Sequence, residues 1–348
     1  MDTIRTLKIL SKWSMNQVIG KKRPLVAVIG ITHYCNYYCP MCPFGDPNKE
    51  EQMQYAKEHD LTTEEWKKAF DKVADNCIWA IIEGGEPLSR KDIFELLEYL
   101  NNKKIPVTLI TNGSLLHTID LARLKSLIST ICCSIDSIKK ESYCKVRGVN
   151  EELYYRVMNN LKKLDEYDIS RYINSVITKW NTEEFITQEY FDYIKNELNI
   201  HAVSMTFVQN RVGGPNLLPD RKSMEKVCES ILDYSKHHSD PYIMIPRLYF
   251  EQILEHGRAL FDECGVWKSM VVNADGTVSP CWKFDTPEYK LSLLEYDVDK
   301  IWSMPYWDEV KKCNECQVLG CVWYSSQKTD VIVESYIRGV ISRLLSRY

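Results

Sequence analysis

The sequence predicts an α/β fold: a partial barrel of six strand–helix units, followed by a small, irregular, cysteine-rich module at the C-terminal end. Three observations lead to this prediction. Short apolar runs alternate with helical stretches between residues 25 and 207, and polar or glycine-rich motifs follow the first four runs. Beyond residue 211 the alternation ends, and cysteines become frequent from residue 264. Such alternation is typical of successive βαβ units in a parallel sheet.

Each predicted strand is a short run rich in apolar and β-branched residues. The runs are Leu25–Ile31, Ile78–Glu83, Val107–Thr111, Thr130–Ile135, Tyr172–Ile177 and His201–Phe207. The helical patterns between them lie at Thr62–Asn76, Lys91–Asn102, Ile119–Ile128, Glu151–Glu166 and Thr182–Glu197. Six such units suit a partial (β/α)6 barrel of the TIM type, whose functional residues lie at the carboxyl ends of the strands.

The predicted segment boundaries follow changes in this rhythm. An N-terminal amphipathic helix precedes the barrel, and a connecting helical segment follows it. The cysteine-rich module and a second amphipathic helix complete the chain. In that order, the predicted segments are residues 1–24, 25–210, 211–263, 264–325 and 326–348.

The composition excludes several classes of protein. The 348 residues carry 44 Lys and Arg against 48 Asp and Glu, and a formal net charge of −4 argues against a general nucleic-acid binder. No apolar run reaches the roughly 18 residues that a membrane span needs. Residues 1–22 lack the apolar core and cleavage site of a secretion signal. Thirteen cysteines, an odd number, favour metal binding in a reducing cytoplasm over a disulfide framework.

The densest cysteine group lies directly after the first predicted strand. Cys35, Cys39 and Cys42 form a Cys-x3-Cys-x2-Cys pattern on one short loop. Three thiolates can hold three corners of a cubic iron–sulfur cluster, which usually takes four, so the last iron stays open to a substrate or cofactor. The alternative is a zinc site, because His33 could complete a set of four ligands.

Three further motifs follow the next three predicted strands. They are Gly84-Gly85-Glu86-Pro87, Thr111-Asn112-Gly113 and Ser134-Ile135-Asp136-Ser137. Because the carboxyl ends of parallel strands meet at one face of a barrel, we expect these motifs and the cysteine loop to lie together. Four such motifs on one face indicate a functional site more strongly than any one of them alone.

The cysteine loop, followed by Gly84-Gly85-Glu86-Pro87, resembles the motifs of the radical S-adenosylmethionine enzymes. The resemblance covers the chain from about Val26 to Phe207. It implies a 4Fe–4S cluster whose open iron binds S-adenosylmethionine. It also implies reductive cleavage of that cofactor to a 5′-deoxyadenosyl radical, which abstracts hydrogen from an unactivated C–H bond.

The same resemblance implies a set of cofactor contacts. Glu86 can accept hydrogen bonds from the cofactor ammonium group, and Arg147 can pair with its carboxylate, although a surface ion pair is the alternative for Arg147. Ser134 and Asp136 can bond the ribose hydroxyls or the carboxylate, with helix capping as the alternative. Met41 stands where the family usually has an aromatic residue near the adenine, and its sulfur can still contact a ring. The expected cofactor-binding residues are Gly84, Gly85, Glu86, Pro87, Asn112, Ser134, Asp136, Arg147 and Met41.

The second cysteine group resembles the auxiliary-cluster modules called SPASM and twitch. A turn at Gly276 is expected to bring Cys281 back towards Cys264. Five cysteines are too few for the two clusters of a full SPASM module, so one auxiliary cluster is expected, with a zinc ribbon as the alternative. Cys321 either replaces one of its four ligands, serves as another donor to the radical, or is simply buried. The expected metal ligands are Cys35, Cys39, Cys42, Cys264, Cys281, Cys313, Cys316 and Cys321.

The resemblance implies an oxidation or a bond-forming reaction on a peptide or on a small-molecule or lipid substrate. The expected cofactors are S-adenosylmethionine, its 4Fe–4S cluster and one auxiliary 4Fe–4S cluster, served by an external electron donor. The rival class is a non-catalytic zinc or iron–sulfur scaffold that binds a protein partner. The protein is expected in the cytoplasm. Residues 4–12 and 333–347 each combine an apolar helical stripe with neighbouring Lys and Arg. These two helices could contact the inner face of a membrane, and packing on the barrel is the alternative.

Overall fold

The structure is a computed structural model, and it describes residues 3–209, 215–258, 264–281 and 284–313. Its strands are β1 Val26–Gly30, β2 Trp79–Glu83, β3 Val107–Thr111, β4 Thr130–Ser134, β5 Arg171–Ile177, β6 Ala202–Phe207, β7 Tyr242–Ile243, β8 Ser269–Val272, β9 Thr277–Ser279 and β10 Leu291–Ser292. Its helices are α1 Thr3–Val18, α2 Lys49–His59, α3 Thr63–Asn76, α4 Ile93–Asn102, α5 Leu121–Leu127, α6 Lys140–Arg147, α7 Glu151–Lys163, α8 Thr182–Ile186, α9 Glu189–Asn196, α10 Arg221–His237, α11 Arg247–His256, α12 Val298–Trp302 and α13 Tyr306–Lys312.

The ten strands of the described residues form one sheet in the order β10-β9-β8-β1-β2-β3-β4-β5-β6-β7. From β1 to β7 each strand runs parallel to its neighbour, and helices connect successive strands. The predicted α/β class and the partial parallel barrel are therefore confirmed. All six predicted strands are present, and Val107–Thr111 has the predicted bounds.

The helices pack on the sheet through apolar faces that the sequence dictates. In α3, Trp66, Phe70 and Val73 recur at helical spacing and are fully buried. A capping box fixes the start of this helix, because Thr62 accepts a hydrogen bond from the backbone of Glu65 and the Glu65 carboxylate bonds back to Thr62. On β2, Ala80 and Ile82 join this helix-packed core.

Two features differ from the sequence-based expectation. The helix expected over Thr182–Glu197 is broken into α8 and α9, because Gln188 adopts a left-handed conformation with φ 63° that a continuous helix cannot contain. In addition, β8 pairs parallel with β1, so the first strand of the cysteine-rich segment belongs to the main sheet. The predicted segment boundaries stay predictions, and residues 326–348 lie outside the described residues.

The N-terminal helix α1 covers the amino end of the barrel. Ile9 and Trp13 on its inner face pack with Leu25 and Ile78, which directly precede β1 and β2. The Trp13 indole donates a hydrogen bond to the carbonyl of Arg23 at 3.1 Å. This end is opposite the carboxyl ends of the strands. Among the described residues, no helix combines the length and apolar character that crossing a bilayer requires.

Candidate active site

The cysteine loop follows β1 at the carboxyl end of the barrel. Cys35 and Cys39 are buried, and Cys42 is half-buried. A backbone bond of 3.0 Å from the Cys42 N–H to the Cys39 carbonyl forms a tight turn. The Cys39 thiol contacts the carbonyl of Arg147 at 3.4 Å. Burial raises the pKa of Cys39 to about 12, and the positive charge of Arg147 partly offsets this effect.

Two glycines from distant segments press against this loop. A Cβ atom at Gly85 would lie 1.9 Å from the Tyr34 carbonyl oxygen, and one at Gly148 would lie 2.2 Å from that of Tyr38. Gly148 also has φ 63°, a left-handed conformation that ends α6. Side chains are therefore excluded at both positions, and the loop path depends on backbone contacts with the segments after β2 and α6.

A polar network joins the loop to the segment after β3. The Asn112 side chain donates to Asn36 at 2.8 Å, and Asn36 donates to the Ser114 hydroxyl at 2.9 Å. Ser114 in turn donates its backbone N–H and hydroxyl to Asn112 at 2.9 and 2.6 Å. The predicted residue Asn112 thus fixes Asn36, the neighbour of Cys35. No local pattern indicates Asn36 or Ser114, because the bonds that join Asn36 to Ser114 and to Asn112 span 78 and 76 residues.

Glu86 lies at the centre of the strand ends and is fully buried. Its carboxylate accepts hydrogen bonds from the Thr111 hydroxyl at 2.7 Å and from the backbone N–H groups of Leu88 and Asn112 at 3.0 and 2.8 Å. Burial raises its pKa, and these donors lower it, with a net rise. A carboxylate offers about four acceptor sites, so one remains for a further donor.

Asp136 and Arg147 form a buried ion pair beneath the loop. Arg147 Nε lies 2.8 Å from Asp136 Oδ2, and Asp136 Oδ1 accepts the backbone N–H of Val176 at 2.8 Å. Asp136 is completely inaccessible, and Arg147 is only 8% exposed. From the sequence, a surface ion pair was the alternative role for Arg147 and a helix cap was the alternative role for Asp136. The structure instead shows the two residues in a buried ion pair. Burial lowers the pKa of Arg147, whereas the negative charge of Asp136 raises it. The net effect is a pKa above the ordinary value, so the guanidinium stays charged.

The remaining predicted cofactor residues lie at the same end of the barrel. Ser134 ends β4 opposite Asn174 and is half-buried. Met41 packs with Phe44 against the buried part of the cysteine loop. Pro87 begins a short 3-10 turn directly after Glu86. Gly84, with φ 130°, completes the predicted set.

Glu83 is a residue that the sequence analysis did not single out. It ends β2 opposite Gly30, and because Ala80 and Ile82 face the helices, strand alternation directs Glu83 into the barrel. The residue as a whole is half-buried, and its carboxylate has no hydrogen-bonding or ionic partner within the described ranges. Burial raises the pKa of Glu83 to about 7. An acidic residue on the inward side of an apolar strand was the signal that could have identified it.

The second cysteine group is described in part. The backbone N–H of Cys264 donates to the carbonyl of Lys311 at 3.0 Å, which places Cys264 beside the segment that leads to Cys313. The β8–β9 hairpin, with Gly276 at φ 77° in its turn, pairs Val271 with Ser279 and returns the chain towards the start of β8 before Cys281. Cys264, Cys281 and Cys313 are half-buried against the main core. Cys316 and Cys321 lie outside the described residues.

The geometry around His33 bears on the zinc alternative. The His33 imidazole Nδ1 lies 2.6 Å from Asp60 Oδ1, so this ring nitrogen is paired with a carboxylate. Within the part of the chain that the structure describes, no three His, Cys, Asp or Glu side chains converge on one metal-ion position. A zinc ion needs four donors at about 2.0–2.3 Å, whereas a cubic cluster distributes its thiolates over separate irons.

Comparisons with known proteins agree with this architecture. Residues 29–187 match the family model of the Radical SAM superfamily. The antilisterial bacteriocin subtilosin biosynthesis protein AlbA of Bacillus subtilis (strain 168) is 27% identical over 282 residues, which cover 79% of this chain and 58% of AlbA. The chain therefore spans little more than half of that relative's length. The S-adenosylmethionine-dependent nucleotide dehydratase of Selenomonas ruminantium is 27% identical over 276 residues, 74% of this chain and 95% of the dehydratase.

A solved structure of similar fold is that of SuiB from Streptococcus suis. In complex with S-adenosylmethionine it superposes with a TM-score of 0.64, covering 94% of this chain and 77% of SuiB at 19% identity. SuiB has also been solved with its precursor peptide SuiA, with a TM-score of 0.66. At this level of identity the likeness supports the fold of the chain.

Proposed function

Because residues 29–187 match the family model of the Radical SAM superfamily, we propose that this chain is a radical S-adenosylmethionine enzyme that modifies a peptide by abstracting hydrogen from an unactivated C–H bond. The observation that carries this proposal is the buried, cross-braced cysteine loop at the carboxyl end of the barrel. A non-catalytic scaffold would not require a loop braced by the segments after β2, β3 and α6 and lying beside a buried carboxylate, Glu86, that has one acceptor site left.

The residues present fit the cluster that the superfamily carries. Cys35, Cys39 and Cys42 would hold it, since they are the three thiols of one loop whose path Gly85 and Gly148 fix by close contact. When bound, the cluster and S-adenosylmethionine supply a carbon radical able to take a hydrogen atom from an unactivated C–H bond.

The polar residues around the loop would position the cofactor. Glu86 has one acceptor site left after its three hydrogen bonds, and an ammonium group is a suitable donor for it. Arg147 would act mainly as a positioning residue, because its guanidinium is paired with Asp136 and its carbonyl contacts Cys39. Asn112 would hold the loop through Asn36. Direct contacts are proposed for Gly84, Gly85, Pro87, Ser134 and Met41.

The auxiliary site is proposed to hold a second cluster. Cys264 and Cys281 flank the β8–β9 hairpin, Cys313 directly follows α13, and Cys316 and Cys321 come shortly after it in the sequence. Thiolates from two nearby segments suit a 4Fe–4S cluster. Such a cluster would accept an electron from the product radical and pass it to an external acceptor, which favours net oxidation or bond formation. The external electron donor would serve the cluster held by Cys35, Cys39 and Cys42.

A peptide is the proposed substrate because AlbA is a bacteriocin biosynthesis protein and SuiB binds a precursor peptide. The nucleotide dehydratase, which this chain covers almost completely, favours a small-molecule substrate as the second candidate. Incubating the reconstituted enzyme with short peptides encoded beside its gene should produce a peptide lighter by two hydrogens, measured by mass spectrometry. Turnover of a nucleotide with no change in any peptide would replace the first candidate with the second.

Metal analysis tests the core of the proposal. Anaerobic reconstitution should give about eight irons per chain, with little zinc. Changing Cys35, Cys39 and Cys42 to Ala should abolish formation of 5′-deoxyadenosine, whereas Cys313→Ala should leave some uncoupled cleavage. Cys228→Ala, at a buried position in α10, is the matched control and should retain both iron and cleavage. Stoichiometric zinc without cofactor cleavage would instead establish the scaffold.

A further inference from the structure

The outer face of α1 is an apolar surface that faces solvent. Ile4, Leu7, Met15 and Val18 are 69, 60, 70 and 86% exposed. Their spacing of three, eight and three residues places them on one side of the helix, since 3.6 residues make a turn. These four residues, here called the outer stripe, continue at the helix end into Ile19, which is 65% exposed.

This clustering is unusual for the molecule. Of the thirteen large apolar side chains that are exposed among the described residues, five lie between Ile4 and Ile19. Isolated exposed apolar residues need no explanation, whereas a cluster of them on one side of a helix, here interrupted by Ser11, indicates an interaction surface. The fold does not require the stripe, because α1 already packs on the barrel through Ile9 and Trp13 on its opposite side.

The charges around the outer stripe are of one sign. Residues 3–23 contain six Lys and Arg and no Asp or Glu, in a chain whose formal net charge is −4. Lys8 and Lys12 lie on the flank of the stripe, and Lys21 follows the helix; all three are exposed. Lys22 and Arg23 are instead paired with Asp308 and Asp299, so they belong to the attachment of this segment to the body of the protein.

We propose that α1 docks this protein on an anionic lipid surface, with the outer stripe in the headgroup region and Lys8, Lys12 and Lys21 against the lipid phosphates. A helix with an apolar stripe and lysines at its edge matches such a surface in both chemistry and charge. A second copy of the chain would bring the same lysines together, so charge complementarity favours the lipid. The proposal goes beyond the proposed reaction and depends on no residue of the cysteine loop.

The position of α1 fixes the orientation of the docked enzyme. The helix covers the amino ends of β1 and β2, whereas the cysteine loop and Glu86 lie at their carboxyl ends. A five-residue strand spans about 17 Å, so the candidate active site is held at least that far from the lipid and opens away from it. A substrate would therefore reach the site from the aqueous side, which agrees with a peptide and disagrees with a lipid embedded in the same membrane.

Vesicle flotation of the full reconstituted chain tests this docking. The chain should float with vesicles of phosphatidylcholine mixed with phosphatidylglycerol, bind phosphatidylcholine alone more weakly, and dissociate at high salt. Lys8→Gln with Lys12→Gln should lower the partition coefficient about 25-fold, at about fivefold for each cation. The double variant Leu7→Gln with Met15→Gln, which removes half of the outer stripe, should abolish flotation. Leu248→Gln on α11, at a side chain 56% exposed, is the matched control and should bind normally.

The outcomes separate this proposal from its alternatives. The variants replace exposed side chains, so circular dichroism and cofactor cleavage should match those of the unmodified chain. Failure of the chain to float, or flotation undiminished in Leu7→Gln with Met15→Gln, would overturn the proposal. A dimer in light scattering that the same double substitution dissociates would assign the stripe to a second copy. None of these results depends on whether the proposed reaction takes place.

Discussion

Replacing Glu83 with glutamine should change how the stability of the protein depends on pH. Glu83 faces the barrel interior, and burial raises its pKa from 4.5 to about 7, because no donor or cation among the described residues stabilises its charge. Glutamine has almost the same shape and cannot ionise. The substitution therefore removes the cost of burying a charge while it preserves the packing around Gly30.

The magnitude follows from proton linkage. Between pH 4.5 and about 7, the folded state keeps the proton on Glu83 while the unfolded state has lost it. Folded protein then binds more protons than unfolded protein, so the free energy of unfolding falls as the pH rises. Each unit of pKa difference corresponds to about 1.4 kcal/mol, which gives a loss of about 3 kcal/mol across the window as an upper value, since the residue as a whole is half-buried.

Urea unfolding of the unmodified chain and of Glu83→Gln, from about pH 5 to about pH 8, measures this loss. The variant should be nearly as stable at the acid end and more stable at the alkaline end, by at most about 3 kcal/mol. Burial also raises the pKa of Glu184 to about 7, but this residue is present in both proteins and cancels in the difference. Glu166→Gln, at an exposed position, should show no such divergence. Parallel pH profiles for Glu83→Gln and the unmodified chain would refute the reasoning.

Two further substitutions test the support of the cysteine loop. Gly148→Ala puts a methyl group 2.2 Å from the Tyr38 carbonyl and should lower the iron retained after reconstitution, whereas Gly20→Ala, which meets nothing within 4 Å, should not. Arg147→Met leaves the buried Asp136 carboxylate unpaired and should cost about 3–5 kcal/mol in urea unfolding. Adding Asp136→Leu should recover part of that loss; an equal or larger loss in the double variant would contradict the importance of the pair.

The sequence predicted the barrel well because its strands are specified locally. Val107–Thr111 was identified to the residue, since a buried parallel strand requires a short apolar run between two helices. The break at Gln188 was missed because a left-handed residue inside an apolar periodic segment leaves no mark on the pattern. β8 was missed for a different reason: its four residues are too short to signal a strand, and its pairing with β1 joins positions more than 240 residues apart.

The sequence indicates which residues belong to the candidate site by their type and position, but it does not indicate their contacts within the protein. Glu86, Asp136 and Arg147 were each expected to face a cofactor, and the structure gives each of them partners within the protein. Those partners come from other strand ends, so no local pattern could indicate them. Asn36 went unnoticed within the cysteine motif because its role depends on Asn112, which lies 76 residues further along the chain.

These internal contacts explain how an irregular loop can place three thiols accurately. The segment from Tyr34 to Cys42 contains no helix or strand, and the backbone bond from Cys42 to Cys39 fixes only the turn at its end. Its position is instead set from outside, by Gly85, by Gly148 and by the Asn36–Asn112 hydrogen bond. The braces start from β2, β3 and α6, which are anchored in the main core. A ligand site supported in this way loses little conformational entropy when it binds its cluster, because the loop is already ordered by the barrel.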